Sequence, residues 1–390
     1  MARRVSCGFE LNSTTAGVEL KTAPTGTVSI VTTPVRSGTY AGRCNPTAAT
    51  GYFTFTGATV PGYARFYVNF ASFPATTIKI FDSGFRGLIK ITSGGILQLF
   101  EGAGGTQVGS NSSALSLGTW YRVEFEMSNN GDTIKARLNG IEFASYTNGS
   151  LNGDFTDFLI GILETETADM YIDDVAMNDS VGSYQNTYPG PGKIVILRPN
   201  AEGDNQAWTP STGADNSALV DEVTPNDATD YVSTNTNGRL DDYDLPNPVT
   251  IGIGNNDIIN YVAVGYRVFQ SAGFGNGTVF ARIKAASGGT VDESSSGLDD
   301  DGTWTTNNTD GNDLYKTLNN NSNYEQPGTS LAWTPNALDA TQIGIRYELS
   351  VSTSTHQVST VWLLIDYTPS GKNQFSKPLR PAIFTPGIAR

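Results

Sequence analysis

The sequence predicts an all-β fold made of two antiparallel β-sandwich domains and an extended C-terminal arm. The chain has 43 glycines and only 16% charged residues, against about 25% in typical soluble domains. Glycine and asparagine supply the positive φ angles of tight turns, whereas threonine, valine, tyrosine and phenylalanine favour strands. No stretch of the first half keeps a helical period of apolar residues. Its core must therefore come from two sheets packed face to face.

Alternating side chains predict a half-buried strand at residues 121–127. Apolar residues at the odd-numbered positions share one face, and charged residues occupy the other. A strand at 133–138 then runs through Asn139-Gly140 into a strand at 141–146. Asn-Gly between two alternating strands is a strong signal for a β-hairpin.

The length of 390 residues suits two domains of about 150–200 residues better than one core. The apolar period stops where prolines alternate with glycines, and it restarts at Lys193. Strands of the second half are expected at 261–269, 278–284, 342–351 and 359–367. The predicted division is a first domain at 1–183, a linker at 184–192, a second domain at 193–368 and an arm at 369–390.

The charge of the chain argues against nucleic acid as a partner. The formal net charge is −14 and the sequence pI is about 4.5, so the surface field repels phosphates. Two arginines lie near the N-terminus, but polar residues interrupt the apolar run that a signal peptide needs. We therefore expect neither a secretion signal nor a membrane span.

The few cysteines and the single histidine offer little chemistry. Cys7 and Cys44 are too few for a disulfide scaffold, and we expect buried thiols, with a bridge between them left open. His356 follows the polar run Ser-Thr-Ser-Thr. It is expected to be a solvated loop residue, because nothing near it suggests a catalytic triad or a multi-histidine metal site.

The tail after residue 368 combines prolines with apolar and basic side chains. Its four prolines exclude a helix or a central strand. In an acidic protein, such a tail predicts an arm that docks on a partner or on a neighbouring copy. A disordered tail and an arm folded back on its own domain are the alternatives. The residues expected to anchor the arm are Phe375, Leu379, Arg380, Ile383, Phe384 and Ile388.

Several motifs in the first half occur in a recognisable order. Taken over residues 5–180, they resemble a concanavalin A-like, or laminin-G-like, jelly roll. The resemblance implies two stacked antiparallel sheets that bind glycans or proteins, and in some members hydrolyse glycans. The motifs are Cys7-Gly8-Phe9-Glu10, residues 37–41, Trp120 before the strand at 121–127, the strand ending in Asn139-Gly140, and Met-Tyr-Ile-Asp-Asp-Val at 170–175.

The same resemblance implies a structural calcium ion held by Glu10 together with Asp173 or Asp174. Carboxylate oxygens suit Ca²⁺, although strand alternation should turn one of the two aspartates outward. No other cofactor is expected. The acidic runs at 241–244 and 299–302 lack the spacing of an EF-hand and are interpreted as solvated loops.

Hydrolytic members of this family, the laminarinases, carry carboxylates on alternate residues of one strand. Glu164 and Glu166 are the nearest match, but Thr165 stands between them where the family has an apolar residue. The sequence therefore predicts no catalytic residues and no enzymatic activity. A carbohydrate-active enzyme of this class, or a free glycan-binding protein, is the alternative.

The second half contains the tetrapeptide Ala-Trp-Thr-Pro twice, at 207–210 and 332–335. With its flanking residues, it is similar to a β-sandwich module of tailed-bacteriophage structural proteins. The resemblance covers 193–368 and implies core positions for Trp208, Trp333 and Tyr347.

Together, the two resemblances imply a virion surface protein with a lectin-like first domain, made in the host cytoplasm. Capsid decoration, a head fibre and a tail-associated position all fit. The expected partners are other virion proteins, copies of the chain itself in an oligomer, and host-surface glycans.

Overall fold

The regular secondary structure of the described residues is almost entirely antiparallel β, as predicted. Among the described residues of the computed structural model, one five-residue α-helix and three short 3-10 turns interrupt the strands. No helix within the described ranges is long and apolar enough to cross a membrane. The described residues are 3–20, 22–56, 62–84, 87–102, 105–128, 132–147, 157–271, 277–298, 303–306, 317–349 and 354–371.

The first half of the chain supplies strands β1 to β15. In chain order they are Arg3–Cys7, Thr25–Gly26, Val28–Val31, Ala41–Cys44, Ala49–Thr56, Gly62–Ser72, Ile78–Asp82, Gly87–Ile91, Leu97–Glu101, Gln107–Val108, Tyr121–Ser128, Thr133–Leu138, Ile141–Thr147, Asp157–Glu166 and Asp169–Asp179.

These strands form two sheets. An eight-stranded sheet runs in the order β13, β12, β11, β6, β15, β4 and β3, with β1 also paired to β15. A seven-stranded sheet runs in the order β10, β9, β8, β7, β14, β5 and β2. The β12–β13 hairpin turns at Asn139 and Gly140, whose φ angles are 55° and 83°. The predicted hairpin is confirmed, since both turn residues adopt the positive φ that a two-residue hairpin requires.

The core of this half lies between the two sheets and is rich in phenylalanine. The ring of Phe81 packs on Phe66, Phe125 and Phe158, with centroids 5.4, 4.8 and 6.0 Å away. All four side chains are fully buried, and each contributes about 1.5–3 kcal/mol through burial. The apolar residues that alternate with polar ones along the strands thus point inward from both sheets.

The second half supplies strands β16 to β25, the 3-10 turns and the helix α1 (Pro335–Asp339). The 3-10 turns are Ser217–Leu219, Pro248–Ile251 and Asn319–Asn321. The strands are Lys193–Leu197, Ala201–Gln206, Thr209–Pro210, Val232–Thr234, Leu240–Asp244, Ile258–Gln270, Gly277–Lys284, Val291–Glu293, Gln342–Leu349 and His356–Thr368.

These strands also form two sheets with a core between them. One sheet contains β16, β25, β19 and β18, with β21 paired to β25, and the other runs β17, β20, β24, β22 and β23. Trp208, Trp333 and Tyr347 are 4%, 3% and 0% exposed and belong to this core. Their predicted core positions are confirmed.

The two halves meet through buried side chains, some of them apolar and some charged. Leu11 and Ala176 of the first half cluster with Ile194, Leu364 and Trp362 of the second. Space is tight here, because a Cβ atom on Gly8 would lie 2.7 Å from the Ile194 carbonyl oxygen. The halves are therefore in direct contact along β1, β15, β16 and β25.

Buried charges join the halves at the same place. Asp366 of β25 accepts hydrogen bonds from Arg3 Nη1 (2.6 Å) and Arg65 Nη2 (3.1 Å) of the first half. Asn260 Nδ2 also donates to this carboxylate, at 3.2 Å. A buried carboxylate is stable only when paired in this way, so the contact between the halves has a specific geometry.

Residues 184–192, predicted as a linker, connect the two groups of sheets but are anchored on both. Tyr184 stacks on Tyr324 of the second half, with ring centroids 5.0 Å apart. Tyr188 packs on Tyr63 of the first half at 5.3 Å and donates a hydrogen bond to Glu126 at 2.7 Å. The segment is thus a clasp between the halves and not a free spacer.

Candidate functional site

Glu10, the first residue of the predicted calcium site, uses its carboxylate to hold a neighbouring turn. Both carboxylate oxygens accept from the backbone N–H of Thr39 at 3.1 Å, and one accepts from Tyr40 at 3.3 Å. Burial, opposed by the Thr39 hydrogen bond, raises the pKa of Glu10 to about 8. A proton on Glu10 would thus relieve the cost of burying this charge.

Asp173 and Asp174 are both fully buried, so the prediction that one of them points outward was wrong. Asp174 has a φ of 52°, and the β15–β6 pairing shifts register between Asp173 and Ala176. A bulge of this kind adds a residue and breaks the alternation of the strand. Both aspartates can therefore face the contact between the halves.

Each of these two carboxylates already has its own donors. Asp173 accepts from the backbone N–H groups of Arg36 (2.8 Å) and Asp174 (2.8 Å). Asp174 forms an ion pair with the Arg36 guanidinium and accepts from the Ile194 N–H at 2.5 Å. The two aspartates thus bind a loop of the first half and the first strand of the second half.

The arrangement does not fit a calcium ion. Ca²⁺ needs several carboxylate and carbonyl oxygens that are free to converge on it. Here N–H groups occupy the carboxylates of Glu10, Asp173 and Asp174, and the Arg36 guanidinium lies against Asp174. Within the part of the chain that the structure describes, no three His, Cys, Asp or Glu side chains are grouped to hold a metal.

Glu164 and Glu166, the nearest match to a hydrolase motif, bind backbone and side-chain groups near the end of their strand. Glu164 Oε2 accepts from the Lys79 N–H at 3.0 Å. Glu166 Oε2 accepts from Thr76 Oγ1 at 2.6 Å, and this bond lowers the pKa of Glu166. Glu166 thus fixes the loop before β7, and Glu164 binds the backbone of β7 itself.

His356 is not a solvated loop residue, and that prediction was wrong. It begins β25, is fully buried, and its ring centroid lies 4.6 Å from that of Tyr347. Burial lowers the pKa of His356 to about 4. Cys7 and Cys44 are buried free thiols, and burial raises the pKa of both.

The predicted anchoring residues of the C-terminal arm lie outside the described residues, which end at Gly371. These residues are Phe375, Leu379, Arg380, Ile383, Phe384 and Ile388.

The seven-stranded sheet carries polar side chains on the surface that faces away from the core. Strand pairing aligns Lys79 with Lys90 and Lys90 with Gln98, and it places Gln107 opposite Phe100. We call this surface the amide–lysine face and define it by Lys79, Lys90, Gln98, Phe100, Gln107 and Asn111.

Two side-chain amides of the amide–lysine face converge on the oxygen of a third. Asn111 Oδ1 accepts from Gln98 Nε2 at 3.1 Å and from Gln107 Nε2 at 2.7 Å. Gln107 and Asn111 are exposed, and Gln98 is half-buried. Each amide carries two donors and one acceptor, so the cluster can bind neighbouring hydroxyl groups in a fixed geometry.

An aromatic ring and a lysine adjoin the amides. Lys90 Nζ lies 4.7 Å from the ring centroid of Phe100, which is half-buried. Within the described ranges, no carboxylate forms an ion pair with Lys90. The amide–lysine face therefore offers an aromatic ring, hydrogen-bonding amides and an ammonium group side by side. The sequence shows these residues only as polar positions of alternating strands, so sequence reasoning did not single them out.

The outer surface of the opposite, eight-stranded sheet is less accessible. Arg65, Arg122 and Glu124 on it are at most 6% exposed, and Arg137 packs 3.6 Å from the ring centroid of Tyr188. The second half and the clasp cover this part of the sheet. The outer surface of the seven-stranded sheet is therefore more accessible to a large ligand than this part of the eight-stranded sheet.

Comparisons with known proteins found similar structures but no similar sequences. No protein-family model matches the chain, and no curated protein matches it. Domain 4 of an extracellular arabinanase from Geobacillus stearothermophilus, solved with arabinotriose, is 15% identical with a TM-score of 0.35, over 46% of this chain and 93% of that one. A carbohydrate-binding module from Bacillus subtilis is 9% identical with a TM-score of 0.29, over 39% and 92%.

The sialidase of Trypanosoma rangeli is also similar, at 12% identity with a TM-score of 0.30, over 39% of this chain and 26% of that one. The prediction that this chain is not an enzyme was therefore wrong as it stood, because its structural neighbours include glycoside hydrolases. At such identities the likeness concerns the β-sandwich fold, and it assigns no activity and no catalytic residue to the chain. The neighbours named here include no phage structural module.

Proposed function

We propose that this chain is a glycan-binding protein and that its amide–lysine face holds the glycan. The observation that carries the proposal is the convergence of Gln98 and Gln107 on Asn111, beside the half-buried ring of Phe100. The face lies on the sheet that the second half leaves uncovered.

The chemistry of a sugar matches these groups. Vicinal hydroxyls donate and accept hydrogen bonds in pairs, as the side-chain amides do. The C–H groups of a pyranose ring pack on an aromatic face such as that of Phe100. Lys90 would add attraction to a glycan that carries a carboxylate or a sulfate, and salt would weaken that part.

Binding of the full chain to an array of immobilised glycans tests the proposal. We expect the variant carrying both Gln98→Ala and Asn111→Ala to lose at least about tenfold in affinity, as two hydrogen-bonding groups worth about 1 kcal/mol each are removed. The variant Glu142→Ala, at an exposed position of the other sheet, is the control and should bind like the unchanged chain. Equal affinity of the double variant, or no glycan bound by the unchanged chain, would contradict the proposal.

We propose further that the chain presents this face from the surface of a phage particle. What supports this role is the repeated Ala-Trp-Thr-Pro of the second half, whose Trp208 and Trp333 are core anchors. The buried contacts of Asp366 would hold the first half in one orientation on such a carrier. Mass spectrometry of purified particles should find the chain, in multiple copies. Its absence from particles that infect normally would refute the role.

A further inference from the structure

One end of the second half contains a cavity of about 330 Å³. It forms where the turn between β16 and β17 meets the end of the helix α1. Thr341 Oγ1 donates to the Ala337 carbonyl oxygen at 2.8 Å, and the Asn200 N–H donates to the Asp244 carbonyl oxygen at 3.1 Å. We call it the tail cavity; its lining residues are Asn200, Ala201, Asp244, Leu245, Asp339, Ala340 and Thr341.

The tail cavity is acidic, with two carboxylates in its wall. Asp244 accepts from Gln342 Nε2 at 2.8 Å. Among the described residues, no lysine, arginine or histidine forms an ion pair with Asp244 or Asp339. A cationic group entering the cavity would therefore find two uncompensated negative charges.

The described chain ends near this cavity. The segment after Leu245 passes through the turn Pro248–Ile251, which packs against α1. It then reaches Asp257, whose carboxylate accepts from the Ser370 N–H at 2.7 Å. The exit of the C-terminal arm and the tail cavity thus lie at the same end of the second half.

The surface between the exit and the cavity is partly apolar. Val249 and Ile258 are 58% and 63% exposed. The arm has apolar residues that suit this surface and cationic residues that suit the acidic cavity. Its sequence carries five apolar residues together with Lys372, Lys377, Arg380 and Arg390.

From these observations we infer that residues 372–390 of the same chain dock on Val249 and Ile258 and place a cationic side chain in the tail cavity. The tether favours the arm of the same chain over that of a second copy, since a short link raises the effective concentration to the millimolar range. The inference goes beyond glycan binding and does not depend on it.

Chymotrypsin cleavage of the full chain after Phe375 and Phe384, followed by mass spectrometry, tests the inference. Docking should protect these sites. The variant Ala340→Trp fills the cavity from an exposed lining position, and we expect it to raise the cleavage rate by about tenfold, the effect of losing one buried anchor. Asp339→Lys should raise it by about two- to fivefold, the range for an exposed ion pair. Glu142→Lys, on the other half, is the matched control and should change nothing.

Measuring the cleavage rate at several concentrations of the chain distinguishes docking of its own arm from docking of a second copy's arm. With the arm docked on its own chain, the cleavage rate is the same over a hundredfold range of concentration. Protection that strengthens with concentration would show a second copy's arm in the site and overturn the inference. So would equal cleavage rates in all variants, with unchanged near-UV circular dichroism showing that each is folded.

Discussion

Arg65 of β6 and Asp366 of β25 form an ion pair between the two halves, and neither side chain is exposed to solvent. They are 301 residues apart in sequence. Burial acts to raise the pKa of Asp366, but Arg65 and Arg3 outweigh it and hold the pKa below its usual value. The contact between the halves therefore favours the charged form of this carboxylate.

The variant Asp366→Asn should lose about 3–5 kcal/mol in free energy of unfolding, since it leaves two buried guanidinium groups without a counter-charge. Urea titration followed by circular dichroism measures the loss. Asp169→Asn is the control, because Asp169 pairs with Arg43 at 20% and 32% side-chain exposure and such pairs contribute about 1 kcal/mol or less. Equal losses in the two variants would contradict a special role for the buried pair.

The clasp at 184–192 should resist proteolysis in the intact chain. Tyr188 contributes most to this, because it contacts Tyr63, Glu126 and Arg137 at once. We expect Tyr188→Ala to open the clasp and raise its rate of cleavage by proteinase K at least severalfold. Tyr52→Ala removes a half-buried tyrosine on the other sheet and should leave the rate unchanged. Rapid cleavage of the clasp in the unchanged chain would show that it is a free linker.

Because His356 is buried and uncharged, we expect the folded chain to lose stability in acid. Its pKa is about 4 in the folded chain and about 6.5 when unfolded, so the unfolded chain binds the proton more readily. Stability from this group is therefore complete above pH 6.5 and is lost as the pH falls through 4, by about 3 kcal/mol. His356→Phe keeps a ring against Tyr347 and should reduce the pH dependence by that amount, in urea titrations at pH 7, 5 and 4. An unchanged pH dependence would mean that another group is responsible.

Calcium should not stabilise the first half through Glu10, Asp173 and Asp174. Because N–H groups and Arg36 occupy their carboxylates, we expect the thermal midpoint to be the same in EDTA and in 1 mM CaCl₂. Glu10→Gln keeps an acceptor for the Thr39 N–H and serves as the comparison. A calcium-dependent rise of about 5 °C or more, absent in Glu10→Gln, would show that the ion binds there after all.

Local patterns in the sequence determined the strands and the hairpins. The alternation at 121–127 and the pair Asn139-Gly140 depend on neighbours in the chain, since side-chain period and turn geometry are local properties. The resemblance of the second half implied the core positions of Trp208 and Trp333, which suit the size and apolar character of these residues.

Tertiary structure alone decided where the polar side chains lie. Asp366 is an ordinary acid in the sequence, and only the docking of the halves places it against Arg3 and Arg65. A bulge in β15 turned both Asp173 and Asp174 inward, against the alternation of a regular strand. The physical reason is that a charge may be solvated or buried depending on partners far away in the chain. Gln98, Gln107 and Asn111 likewise became one cluster through strand pairing and the loop that follows it.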